Sequence, residues 1–176
     1  MNLQTINEIA SELFLALNQQ ETIQPLTERF PEIDINDAYQ ISKKFLMLRE
    51  AKGEKIVGKK IGVTSKVVQE MLGVNQPDFG FLTNTMQVNN KSNFSIENSL
   101  IQPRAEAEIA FILKEDLYGP GVSRDDVISA TEKILPCFEI VDSRIDKWQI
   151  KIQDTVADNA SCGIFVLGEG HCAPEK

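Results

Sequence analysis

In the run RAEAEIAFIL, Glu106 and Glu108 stand two residues apart, so on a β-strand both carboxylates project from one face with Cα atoms about 6.5 Å apart. That spacing suits two oxygen ligands of one ion. The same face continues through Ala110 and Ile112, while the other carries Ala105, Ala107, Ile109 and Phe111, a pattern that predicts both faces buried. A third carboxylate, Glu139, lies between Phe138 and Ile140 in ILPCFEIV, a run with no other charge, where an ionised group without a partner is costly. Three such groups can be neutralised by protonation, by pairing with Arg104 or Arg144, or by a divalent cation. The residues alone leave the metal and ion-pair readings level.

A second cluster of signals surrounds these glutamates. In KIVGKKIGVT, Lys60 lies on one strand face between Gly58 and Gly62, and the missing side chains leave room for the lysine to reach into a cavity and hold an anion or move a proton. The alternative is a bulge with a lysine on the surface. Asp78 in NQPDFG reads first as a turn former and second as an acid-base group, and Asp158, Asn159 and Ser161 in DTVADNASCG read the same way, with carboxylate binding as their second reading. The single histidine, His171, lies in the terminal GEGHCAPEK, which excludes two-histidine zinc signatures and disfavours a Ser-His-Asp or Cys-His engine. Acid-base or metal chemistry would therefore fall to Asp, Glu and Lys, and an all-oxygen site prefers hard ions such as Mg²⁺ or Mn²⁺.

These residues need elements to position them. Ile6, Ile9, Leu13 and Leu17 recur at helical spacing from Thr5 to about Gln20, with Thr5 and Glu8 as a capping box. A second helix is expected from about Asn36 to Lys52, with Ala38, Ile41, Phe45 and Leu48 on one side and Gly53 at its end. Strands follow at 55 to 64, 81 to 88, 105 to 113, 136 to 142 and 163 to 168. Two short helices interrupt them, one from Ser65 to about Leu72 and one after Ser123. The division expected is a helical layer over 1 to 54 and a β-rich core over 55 to 176.

A chain of 176 residues buries roughly 70% of the surface its unfolded form exposes, enough for one core without disulfides. With 18 basic against 26 acidic residues and no basic stripe, nucleic acid is an unsuitable partner. Neither a membrane span nor a signal peptide is visible. Cys137, Cys162 and Cys172 lack metal spacing; Cys137 and Cys162 read as buried small hydrophobes, and all three fit a reducing, cytoplasmic setting.

The segments GKKIGVTSKVVQEMLGVNQPDFGFL, LIQPRAEAEIAFILKEDLYGPGV and LPCFEIVDSRI through DTVADNASCGIFVLG, in that order, closely resemble the 2-oxopent-4-enoate (2-hydroxypenta-2,4-dienoate) hydratases of aromatic meta-cleavage pathways, within the fumarylacetoacetate hydrolase-like superfamily. The resemblance implies an α+β fold with a mixed, barrel-like β-core behind an N-terminal helical layer. It implies Mg²⁺ or Mn²⁺ on Glu106, Glu108 and Glu139, Lys60 and Asp78 at the catalytic centre, and Arg104 and Ser161 as substrate-binding groups. It also implies association, with a second copy or with 4-oxalocrotonate decarboxylase, a sister enzyme that is the alternative activity. Members of the family run on beyond the length of this chain, so a C-terminal truncation is expected, and an inactive structural subunit is a further alternative. So is a non-catalytic module with salt-bridged glutamates and a surface lysine.

Overall fold

The computed structural model describes residues 1–174. Helix α1 (Leu3–Gln19) and helix α3 (Ile35–Ala51) cross near the N-terminus, with the single turn α2 (Leu26–Arg29) between them. Helix α1 begins two residues earlier than its pattern predicts, because Asn2 caps it by accepting from the Thr5 N–H at 2.9 Å. The expected Thr5 box therefore does not form, and Thr5 lies inside the first turn. Helix α3 is capped by a reciprocal box between Asp34 and Asp37.

The apolar stripes of these helices meet in one core. Ile6, Ile9 and Leu13 of α1 pack on Ala38, Ile41 and Phe45 of α3, and Val156 and Ala157 of helix α6 (Ile152–Ala157) complete the layer. Each large side chain buried here stabilises the fold by about 1.5–3 kcal/mol. Periodicity does not reveal α6, whose six residues span less than two turns.

Strands β1 (Ile56–Gly62) and β2 (Asp78–Thr83) form an antiparallel pair around helix α4 (Lys66–Leu72). Strands β3 (Arg104–Leu113), β4 (Thr131–Val141) and β5 (Ile164–Leu167) form an antiparallel sheet in that order, with helix α5 (Arg124–Ala130) before β4. Among the described residues neither sheet closes on itself. Asp78 is not in a turn: it opens β2 opposite Gly62. The strand expected at 81 to 88 ends at Thr83 and passes into a 3₁₀ turn over Asn84–Met86.

One prediction fails on burial. Both faces of β3 were expected inside, yet Ile109 is 62% exposed, Phe111 46% and, on β4, Phe138 57%. Ala105, Ala107, Ile109, Phe111, Pro136, Phe138 and Ile140 share an outer face with no charge, and Glu106 and Glu108 are also exposed on the inner face. Apolar alternation records a face built to be covered, and no described element covers this one.

Candidate metal and proton-transfer site

Glu106 and Glu139 are direct cross-strand partners in the β3–β4 register, and Glu108 stands opposite Cys137. One oxygen from each of Glu106, Glu108 and Glu139 can be chosen so that all three lie within 4.8 Å of one another. Glu139 is only 6% exposed. Its Oε1 is buried without a hydrogen-bond partner among the described residues. Burial pushes the Glu139 carboxyl up, the Lys60 ammonium pulls it back and Glu106 pushes it up again, which leaves it at about 7. A carboxylate with an orphaned buried oxygen beside two further carboxylates fits a hard divalent cation, which would offset both the desolvation and the repulsion.

The guanidinium pairing weighed above does not form. Arg144, fully buried, engages Asp158 at 2.5 Å, and Arg104 lies over the Trp148 ring, 4.2 Å from its centroid. The cation that does reach the glutamates is Lys60, whose Nζ is 3.4 Å from Glu139 Oε2 with the side chain 13% exposed. This places Lys60 inside and removes the surface-lysine reading. Burial would lower the Lys60 ammonium, but Glu139 above all, with Asp78 and Glu106 adding to it, holds it above its ordinary range.

Of the two glycines flanking Lys60, Gly62 alone creates the space the sequence suggested; a Cβ on Gly58 would meet Leu82 Cδ1 at 3.8 Å and not the lysine. A Cβ on Gly62 would collide with Asp78 Oδ1 and lie 3.3 Å from Lys60 Nζ, so the two side chains converge where Gly62 has none. Asp78 is 5% exposed, its Oδ1 has no hydrogen-bond partner among the described residues, and burial raises its carboxyl while Lys60 partly offsets the rise.

Gly80, opposite Lys60 in the register, admits a second close approach. A Cβ there would collide with the Asn159 carbonyl and lie 2.7 Å from Cys162 Sγ. Asn159 closes both ends of this contact. Its side-chain Nδ2 donates to the Phe81 carbonyl at 2.9 Å, and its Oδ1 accepts from the Phe81 N–H at 2.8 Å. Asn159, Ala160 and Ser161 all have left-handed backbone, φ 55°, 52° and 52°, a strained run for residues with a Cβ. That turn docks β2 against the β4–β5 end of the larger sheet, and so brings Lys60 to Glu139. Asn159 thus positions the site; its turn-former reading concealed a partner 78 residues away.

Ser161 is buried, with its hydroxyl 3.0 Å from Thr155 Oγ1. Arg104 shares the inner face of β3 with Glu106 and Glu108. Cys162 is fully buried and its thiol is pushed up to about 12 by that burial, whereas Cys137 is half-buried and Cys172 exposed. His171 is exposed in the tail.

Comparison with known proteins decides the family. The chain is 60% identical over 171 residues to a 2-hydroxypent-2,4-dienoate hydratase of Pseudomonas putida, covering 97% of this chain and 77% of that relative. The chain belongs to the 2-keto-4-pentenoate hydratase family. A 2-hydroxyhexa-2,4-dienoate hydratase of Comamonas testosteroni is 59% identical over 172 residues, 97% of this chain and 65% of that one. Among solved structures, 4-oxalocrotonate decarboxylase from Pseudomonas putida G7, complexed with magnesium and adipate, superposes with a TM-score of 0.94 at 33% identity. That match covers 99% of this chain and 66% of the decarboxylase, so the chain spans about two thirds of the length of several of its relatives. No family model matches the chain. Family members are hydro-lyases, and among the described residues no helix is long and apolar enough to cross a membrane.

Proposed function

We propose that this site hydrates 2-hydroxypenta-2,4-dienoate, the enol of 2-oxopent-4-enoate, to 4-hydroxy-2-oxopentanoate, with Mg²⁺ or Mn²⁺ held by Glu106, Glu108 and Glu139. The observation that carries this reading is the convergence of the three carboxylates with Lys60 against Glu139 and Asp78 beside Lys60. When bound, the ion supplies Lewis acidity toward the substrate's carboxylate and 2-oxygen, about several kcal/mol of charge stabilisation.

The chain's own groups handle the protons. Asp78 Oδ1, which no described donor satisfies, accepts the proton of the 2-hydroxyl as the dienol ketonises, and its delivery to the terminal carbon completes the proton shift. The resulting 2-oxo-3-enoate is electrophilic at C4, where water adds while C3 takes a proton. Lys60 Nζ, kept protonated by its acidic neighbours, carries a proton within reach of that exchange and hydrogen-bonds the developing anion. Arg104 binds the substrate carboxylate from the same strand face. Ser161 supports the turn that carries Asn159 through its hydroxyl contact with Thr155.

Relatives near 60% identity that bear hydratase names favour hydration over decarboxylation, for which the solved relative stands at 33%. The adipate in that structure supports a small carboxylic acid as substrate. Supplying Mn²⁺-loaded protein with the dienoate should yield 4-hydroxy-2-oxopentanoate; carbon dioxide from 2-oxohex-3-enedioate without dienoate hydration would reverse the assignment.

The uncharged outer face of β3 and β4 supports the expected association with a second copy or a 4-oxalocrotonate decarboxylase, and a barrel-like closure would pack its further strands there. The free cysteines are in keeping with a cytoplasmic setting.

A further inference from the structure

Arg104 is handled differently from the other arginines near the core. Arg49 and Arg144 each close on a carboxylate, Glu54 and Asp158. Arg104 stands two residues before Glu106 on one strand face, about 6.5 Å away along the backbone and within reach of its carboxylate. Yet among the described residues no carboxylate lies within 4.0 Å of the Arg104 guanidinium. It lies instead over Trp148, 4.2 Å from the ring centroid.

Trp148 is held for that contact. Its Nε1 donates to the Gln102 carbonyl at 2.9 Å, and the Gln102 amide donates to the Ser143 and Ile145 carbonyls. The Gln102 N–H donates to Asp142 Oδ1 at 2.7 Å, so the entry to β3 is tied to the exit from β4. Lys147 and Trp148 adopt left-handed backbone, φ 53° and 57°, a conformation non-glycine residues keep only where surrounding contacts dictate it. A ring face attracts a guanidinium while leaving its N–H edge free for a carboxylate.

We infer that Trp148 is a positioning residue: it holds Arg104 off Glu106 and presents the guanidinium edge to the carboxylate of the bound acid. This rests on the proposed function for the identity of the acid. Two consequences separate it from a merely structural role. Loss of the ring frees Arg104 to fall onto Glu106, where it competes with the divalent ion. It also removes the preset orientation for the carboxylate.

The test uses the full chain, Mn²⁺, and 2-oxopentanoate, a saturated acid that cannot be hydrated, so binding is read whether or not the protein is a hydratase. Calorimetry should show Trp148→Leu weakening 2-oxopentanoate about tenfold, Trp148→Phe less than about threefold, and Trp148→Leu with Arg104→Met no more than Arg104→Met alone. Mn²⁺ affinity should fall in Trp148→Leu and recover in the double variant. Trp148 is also the single tryptophan, so the unsubstituted protein gives a second reading: saturating 2-oxopentanoate should shift its emission, and Arg104→Met should abolish the shift. Additive losses, Mn²⁺ affinity unchanged in Trp148→Leu, an emission shift that survives Arg104→Met, or Mn²⁺-loaded protein that does not bind 2-oxopentanoate would overturn the inference.

Discussion

Lys60 Nζ sits 3.4 Å from Glu139 Oε2, across the gap between the two sheets, while the other oxygen of Glu139 has no partner among the described residues. One carboxylate thus meets a fixed cation through one oxygen and leaves the other unpartnered, in a group that also brings an oxygen within 4.8 Å of Glu106 and Glu108. Replacing Lys60 by Met should lower kcat by about 10²-fold or more, the usual loss on removing a proton-transfer group. Because Lys60 is not a ligand, Mn²⁺ uptake should persist. Steady-state rates alongside calorimetry check both halves.

Gly62 and Gly58 make a matched pair of probes. A methyl on Gly62 runs into Asp78 Oδ1 and crowds Lys60, whereas a methyl on Gly58 meets only Leu82 Cδ1 at 3.8 Å. Gly62→Ala should destabilise the fold by about 1–3 kcal/mol and depress kcat. Gly58→Ala should leave activity intact, as urea melts and initial rates on the two variants would show.

The Arg144–Asp158 pair is wholly enclosed. Arg144 also donates to the carbonyls of Asp142, Asp158 and Cys162, so it anchors the ends of the turn that carries Asn159. Arg144→Met leaves Asp158 buried without its counter-ion and should cost about 3–5 kcal/mol. The midpoint of urea denaturation would fall accordingly.

Glu54 ties the end of α3 to β2 through Arg49, Thr83 and Thr85. Burial pushes its carboxyl up, but the hydrogen bonds from Arg49, Thr83 and Thr85 outweigh this and hold it below the ordinary 4.5. The folded state therefore favours the ionised form. Its contribution is whole above the unfolded value and is lost as pH falls through the lower, folded one. Thermal melts in acid should show a loss of stability that Glu54→Gln makes shallower.

Much of the site is legible in the residues themselves. Glu139 is marked by its uncharged neighbours, Lys60 by glycines on either side, and Glu106 with Glu108 by the two-residue period of a strand. Apolar content cannot say what covers a strand, so the burial expected for both faces of β3 differs from what the described residues show. Asn159 against Phe81, Arg144 against Asp158 and Trp148 against Arg104 are absent from any local pattern. Each joins residues brought together by the chain's return, and two of the three use left-handed backbone at non-glycine residues, which propensity argues against. The Thr5 cap was displaced by Asn2 because a side-chain oxygen three residues earlier satisfied the Thr5 N–H first.

The central claim is that Glu106, Glu108 and Glu139 together hold one divalent ion. Calorimetric titration with Mn²⁺ should give one site per chain, weakened about tenfold or more by each of Glu106→Gln, Glu108→Gln and Glu139→Gln. Absence of binding heat in the unsubstituted protein, or an affinity that all three substitutions leave unchanged, would contradict it.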